Sequence, residues 1–243
     1  MEKRDSVTWL SFVTVPEAAT LRHFGRIRID EVSTSLLQCL LVADSVVDPL
    51  SLIVDDRARA RAAGDPMTDL CILATAGHAT SAEAPGVRPI VLRDVALQGI
   101  GLLISRTSGK WEPLSSGRYE LLLLWLTIRR QYRVRGTIAT MPDETIEMYW
   151  NQKVHASRLL DVYYGTYAAQ STVVSSRDMF LEGIDALRRQ YPTPESVPRP
   201  ELLRGVYLVP ERIEAWRGSP DRLHDRRRFV RATTGWREET LIP

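Results

Sequence analysis

No apolar run in this chain outlasts a β-strand. The longest, Leu121-Leu122-Leu123-Leu124-Trp125-Leu126, is of strand length and falls well short of the ~18 apolar residues of a membrane-spanning helix. Just beyond it, Arg129 to Thr140 alternates basic and apolar side chains, Arg133 and Arg135 against Tyr132 and Val134, as a strand with one wet face does. Further strands are expected at Leu70–Thr75, Ile90–Leu92 and Ile100–Ile104. A Gly, Ser and Ala-rich loop over Gly77–Gly86 lies between the first two of these. Three more strands close the chain at Gly205–Trp216, Arg226–Ala232 and Trp236–Ile242, after a proline-rich link (Pro192, Pro194, Pro198, Pro200).

Helical spacing is rarer. Leu50, Ile53, Val54 and Ala58 recur at helical intervals from Asp48-Pro49 to Ala62, with Pro49 in the first turn and Gly64 as a stop. Pro142-Asp143-Glu144 opens a helix carrying Ile146, Tyr149 and Trp150, its acidic residues suited to the helix dipole. Ser176 caps another, which carries Met179, Phe180, Ile184 and Leu187 and ends in Arg188-Arg189. Many antiparallel strands with few helices predict a mainly β (α+β) fold, a closed barrel with peripheral helices. Residues 1–44 have no strong period and are read as an N-terminal extension, leaving 45–243 as the folded domain.

The 243 residues carry 32 basic against 30 acidic side chains, a net charge of +2. No global basic field therefore argues for a nucleic-acid partner. Cys39 and Cys71 sit in apolar stretches and read as buried thiols of a reducing compartment; their spacing fits no metal motif. The N-terminus begins with charges (Glu2, Lys3, Arg4, Asp5) and lacks a secretory pattern, so a cytoplasmic protein without a membrane or metal partner is expected.

The segment richest in chemistry runs from Trp216 to Arg226. A strand with an aromatic end leads into a turn, Gly218-Ser219-Pro220-Asp221, and then into Arg222, His224 and Arg226. If the chain is extended there, the spacing of two puts all three on one face. Cationic groups converging beside an indole suit a planar anionic ligand, because guanidinium groups grip phosphate or carboxylate and the indole offers a stacking wall. A solvated basic hairpin is the alternative on these residues alone.

Arg222-Leu223-His224-Asp225-Arg226 shortly after a tryptophan, with Leu241-Ile242-Pro243 at the end, resembles the C-terminus of pyridoxamine 5'-phosphate oxidases. Other pieces follow in the family's order. They are Asp65-Pro66-Met67-Thr68 before Leu73-Ala74-Thr75, Arg88-Pro89-Ile90-Val91-Leu92-Arg93, Ser108-Gly109-Lys110, and Trp125 with Arg130-Gln131 and Gly136. Tyr149, Lys153 and Ser157, then Gln170-Ser171, complete the set. The resemblance covers residues 48 to 243 and implies an FMN-binding split β-barrel, with FMN at the interface of a homodimer. It implies FMN contacts at Arg88, Ile90, Val91, Lys110, Gln131, Gln170, Ser171, Trp216 and Arg226. Arg93, Tyr149, Lys153 and Ser157 would hold a substrate phosphate, with Arg222 and His224 over the substrate ring as catalytic groups. The implied chemistry is hydride transfer from substrate to the flavin N5, then reoxidation by molecular oxygen to hydrogen peroxide, the flavin carrying the hard step.

Departures from the pattern matter. Gly109 stands where the family has an arginine, and Leu103-Ile104 where it has an aromatic-Thr pair. Lysine and arginine are exchanged at Arg93 and Lys153, and the Ser157–Gln170 stretch gains Tyr163, Tyr164 and Tyr167. Three functions stay open: an oxidase giving pyridoxal 5'-phosphate, a dihydrophenazine-oxidase-like enzyme of secondary metabolism acting on another aromatic substrate, and a non-catalytic flavin or pyridoxal phosphate carrier.

Overall fold

The computed structural model describes residues 48–77 and 84–243. The extension over 1–44, Cys39, His78 and most of the Gly77–Gly86 loop lie outside them. The first helix, α1 (Pro49–Ala62), begins where expected, since the Asp48 side chain accepts the Leu50 N–H at 3.0 Å and Pro49 needs no donor there. It stops at Gly64, whose φ of 71° is left-handed.

The strands form one nine-stranded antiparallel sheet. They are β1 (Leu70–Thr75), β2 (Gly86–Val91), β3 (Asp94–Ala96), β4 (Gly99–Ser105), β5 (Tyr119–Trp125), β6 (Arg130–Thr140), β7 (Leu203–Arg217), β8 (Asp225–Arg231) and β9 (Trp236–Thr240). Their order is β2-β1-β5-β6-β7-β4-β3, and β8 extends from β7 and carries β9. Among the described residues no pairing joins β2 to β3, so the expected closed barrel is instead an open path of strands.

Alternation decides which face is wet. Tyr119, Leu121, Leu123 and Trp125 of β5 are buried, while Leu122 and Leu124 are half-buried on the other side. The core-facing row continues through Leu73, Val134, Ile213 and Phe229, all fully buried. The β6–β7 ladder slips at Arg135/Gly136, a bulge that brings Gly136 against β7. A Cβ on Gly136 would stand 2.0 Å from the Val209 carbonyl oxygen, so only glycine fits there.

Four helices stand off the sheet. A short α2 (Trp111–Ser115) precedes β5, while α3 (Asp143–Asn151), α4 (His155–Thr166) and α5 (Arg177–Gln190) follow β6. Ser176 does cap α5, accepting the Met179 N–H at 3.1 Å. Helix α4 is new relative to the sequence expectation, and it explains the tyrosine-rich stretch. Tyr163 is core, edge-on to Phe180 with centroids 5.0 Å apart and stacked on Tyr167 at 5.1 Å, whereas Tyr164 is half-buried. Cys71 is a buried thiol, its pKa pushed up to about 12 by burial. No helix among the described residues is long and apolar enough to cross a membrane.

Candidate active site

The sequence-predicted residues fall into three groups. The first lines an open pocket of about 320 Å³ that joins Arg88 of β2 to Lys110, Gln170 and Ser171. Lys110 is buried by the turn into α2. Its ammonium donates to the Ser108 hydroxyl and, at 2.5 Å, to the Gln170 side-chain oxygen. Burial pulls its pKa down to about 8, and the positive Arg88 adds to the effect. Arg88 itself donates to the Thr75 hydroxyl at 3.3 Å. Two neighbouring cations bonded to neutral oxygens form a ready seat for a polyanion, and the phosphate of FMN fits it. Ser171 has a left-handed φ of 71°, the kind of strain that collects at binding sites. Ile90 packs beside the core and Val91 points away from it, 49% exposed.

The second group is a row across three strands. Gln131 of β6 lies opposite Trp216 of β7, which lies opposite Arg226 of β8. Arg226 is tied down, donating to Glu214 at 2.6 Å and to the Ile242 carbonyl at 2.9 Å. The expectation that Arg222, His224 and Arg226 share one face fails. Ser219–His224 is a turn, extended backbone begins only at Asp225, and Arg222 has a left-handed φ of 65°. The reason is local. The Asp221 carboxylate accepts from the Ser219 hydroxyl and, at 3.0 Å, from the Leu223 N–H, closing an Asx turn. The outcome still groups the chemistry. Arg222 is exposed, and His224 packs on the Trp216 indole with ring centroids 4.8 Å apart. The Ser219 N–H donates to His224 Nδ1 at 3.1 Å, so in the neutral ring Nε2 carries the proton.

These two groups face opposite ways. Arg88 pairs across from Leu73, Leu73 from Leu121, Leu121 from Val134 and Val134 from Ile213, all along the core-facing side. Gln131 and Trp216 are each three residues removed from that row, hence on the opposite face.

The third group surrounds α3 and α4. Tyr149 is buried on α3, its hydroxyl pushed up to about 12 by burial and the neighbouring Asp94 carboxylate. Arg93 is half-buried with its Nε lacking a partner. Burial draws the Arg93 guanidinium down, while Asp161 and Tyr149 oppose that. Lys153 and Ser157 flank the start of α4. A residue that sequence reasoning passed over completes the group, because Lys153 is ion-paired with Asp161. The signal was present in the spacing, since Asp161 follows Ser157 by one helical turn. Leu103 and Ile104, where a hydroxyl was expected, pack into the apolar interior.

Comparison with known proteins identifies the family. Residues 204–243 match the model of the pyridoxine 5'-phosphate oxidase C-terminal dimerisation region. The pyridoxine/pyridoxamine 5'-phosphate oxidase of Novosphingobium aromaticivorans is 35% identical over 199 residues, covering 81% of this chain and 94% of that protein. The enzyme of the same name from a Nocardioides species is 32% identical over 228 residues, 93% of this chain and 97% of that one. Among solved structures, PhzG from Burkholderia lata superposes with a TM-score of 0.69 at 24% identity, covering 82% of this chain and 95% of that chain. An FMN-binding protein from Nostoc punctiforme gives 0.57 at 16% identity, covering 79% and 96%. The open path of strands is thus the split barrel of these proteins, and the chain belongs to the pyridoxine/pyridoxamine 5'-phosphate oxidase family of FMN-dependent oxidases.

Proposed function

We propose that this chain oxidises a small aromatic substrate bearing an anionic group, using FMN bound between two copies of the chain. The observation that carries the reading is the division of the flavin-contact candidates between opposite faces of one sheet. Arg88, Lys110, Gln170 and Ser171 form a phosphate seat on one side, and Gln131, Trp216 and Arg226 form a row on the other. A second copy supplying its own row to the first copy's seat reunites them, in keeping with the dimerisation region matched at 204–243.

FMN, held by Arg88, Lys110, Gln170 and Ser171 at its phosphate, would supply the two-electron acceptor for the oxidation, with molecular oxygen as the final oxidant. The chain's own part is to orient and to place charge. Arg93, Tyr149, Lys153 and Ser157, gathered around α3 and α4, would hold the substrate's anionic group. Arg222 offers a guanidinium to charge developing on the ring, and His224 offers its Nε2–H as a donor. Pyridoxine or pyridoxamine 5'-phosphate, for which the relatives are named, fits this description and would give pyridoxal 5'-phosphate. A ring of dihydrophenazine type fits it too.

The test is the purified protein's visible spectrum, its peroxide output and its mass by light scattering. A flavin spectrum, a dimer and peroxide on addition of substrate are expected. A monomer holding stoichiometric FMN would sink the shared-site reading.

Gly109 bears on cofactor affinity. Its backbone is not left-handed, and nothing lies within 4 Å of where a Cβ would be. Gly109→Arg should therefore fold without strain and add a charge-assisted contact to the FMN phosphate. Such a contact contributes about 1.5–3 kcal/mol, so FMN should bind roughly ten-fold tighter or more. Titration of apoprotein measures this, and unchanged affinity would mean that position 109 does not face the phosphate.

A further inference from the structure

We propose that Asp56 is a positioning residue for the flavin site, clamping the two side chains on either side of Gln131 from behind and so fixing where the Gln131 amide meets the flavin ring. This rests on the reading of Gln131 as a flavin contact and extends the site to a residue on the other face of the sheet.

Asp56 projects from α1 against the first residues of β6, and its side chain is only 10% exposed. One carboxylate oxygen, Oδ2, accepts from Arg130 Nε at 2.8 Å and from the Tyr132 hydroxyl at 2.7 Å. The other accepts from Arg59 at 2.7 Å, a partner that is 60% exposed and therefore peripheral. Arg130 and Tyr132 are two residues apart on β6, so both face α1 while Gln131 between them turns the opposite way. Tyr132 is also seated edge-on against Trp125, with ring centroids 5.9 Å apart. An open cleft of about 280 Å³ runs beside the network as far as Trp216, with Asp55, Arg217, Asp225 and Arg227 on its walls. Charges of both signs line it, so the direct bonds of Asp56 rather than a net field define the clamp.

Placement gives the network its role. Gln131 is one residue from the end of both the β5–β6 and the β6–β7 ladders, which close at Arg130. Strand ends open most easily, so a residue there needs support from outside the ladder. A buried ion pair adds little net stability once its desolvation is counted. A carboxylate bonded to both neighbours of one residue does fix geometry, and a binding group needs such backing to hold its place.

The experiment is a double-mutant cycle, read by titration of apoprotein with FMN and by the visible spectrum of the bound flavin. Gln131→Ala should weaken FMN binding about ten-fold and shift the flavin band. Asp56→Asn turns an NH2 group toward donors, and should weaken binding about five-fold with a band shift in the same direction. In Gln131→Ala protein the same Asp56→Asn change should cost less than about two-fold, because its effect passes through the residue already removed. Tyr132→Phe deletes one of the two bonds and keeps the ring, and should show the same dependence on Gln131 should Asp56→Asn fail to fold. A merely structural role would weaken FMN equally in both backgrounds. That additivity, with Gln131→Ala itself weakening FMN, would overturn the clamp while leaving Gln131 in the flavin site. FMN affinity and spectrum unchanged by Gln131→Ala would overturn the reading of Gln131, and the proposal with it.

Discussion

Arg222→Ala and His224→Ala should each purify yellow and lose about 10²-fold or more in kcat, the usual range for a positioned acid–base or charge-stabilising group. Neither residue is a member of the Gln131–Trp216–Arg226 row proposed to meet the flavin, although His224 packs on Trp216. Arg222 is exposed at a left-handed turn position, pinned by the Asp221 Asx turn, and has no part in the Gln131–Trp216–Arg226 ladder. His224 lies against Trp216 with Nδ1 committed to the Ser219 N–H, which leaves Nε2–H for a substrate. Arg226→Ala should behave differently. It deprives the buried Glu214 of its 2.6 Å partner, leaving, among the described residues, Arg133 at 3.6 Å, and should release FMN as well as lower stability. Flavin content, kcat and KM on the three variants make the comparison. If Arg222→Ala and His224→Ala come off the column colourless, the division into substrate and flavin sides is wrong. If all three match the parent, the segment is a solvated basic turn.

The strands were legible because burial alternates wherever the sequence does. Tyr132 and Val134 turn inward while Arg133 and Arg135 turn outward, as the period of two requires. Helices with explicit start signals were legible as well, α1 through Asp48-Pro49 and α5 through Ser176. Helix α4 was not, because it lacks those signals. Its N-cap is Val154, no side chain caps it, and its first turn holds no acidic residue. The Arg222–Arg226 spacing misled because turn chemistry at Ser219-Pro220-Asp221 overrode the strand pattern read into it. In the site, the cations were read from family positions, and so were Ser108 and Gln170, the partners of Lys110. Asp161 and Glu214 look like ordinary polar residues until the fold places them beside Lys153 and Arg226.

Arg158→Ala should cost about 3–4 kcal/mol of stability and disorganise the segment that carries Lys153, although Arg158 belongs to none of the predicted sites. Only 5% of Arg158 is exposed, and its guanidinium is spent on three backbone carbonyls. Nε donates to Lys153 at 3.0 Å, one terminal nitrogen to Pro194 at 2.6 Å and the other to Asn151 at 2.8 Å. It thereby ties the α3–α4 junction to the 3-10 turn at Pro194–Ser196. The plane of the group also lies 5.6 Å from the Trp150 ring centroid. Hydrogen bonds from a charged donor contribute about 1.5–3 kcal/mol each, and three from one group add to less than their sum, which sets the estimate. An ammonium cannot span three carbonyls in a fixed plane, so Arg158→Lys should recover little of the loss. Two of the three carbonyls are those of Asn151 and Lys153 itself, so the damage should reach the proposed substrate-binding group before the sheet unfolds. Urea unfolding gives the stability change, and KM against kcat at a temperature where the variant stays folded gives the local one. A rise in KM with kcat and flavin content preserved is expected. Unchanged KM in a destabilised protein would show that the junction supports the fold without positioning Lys153.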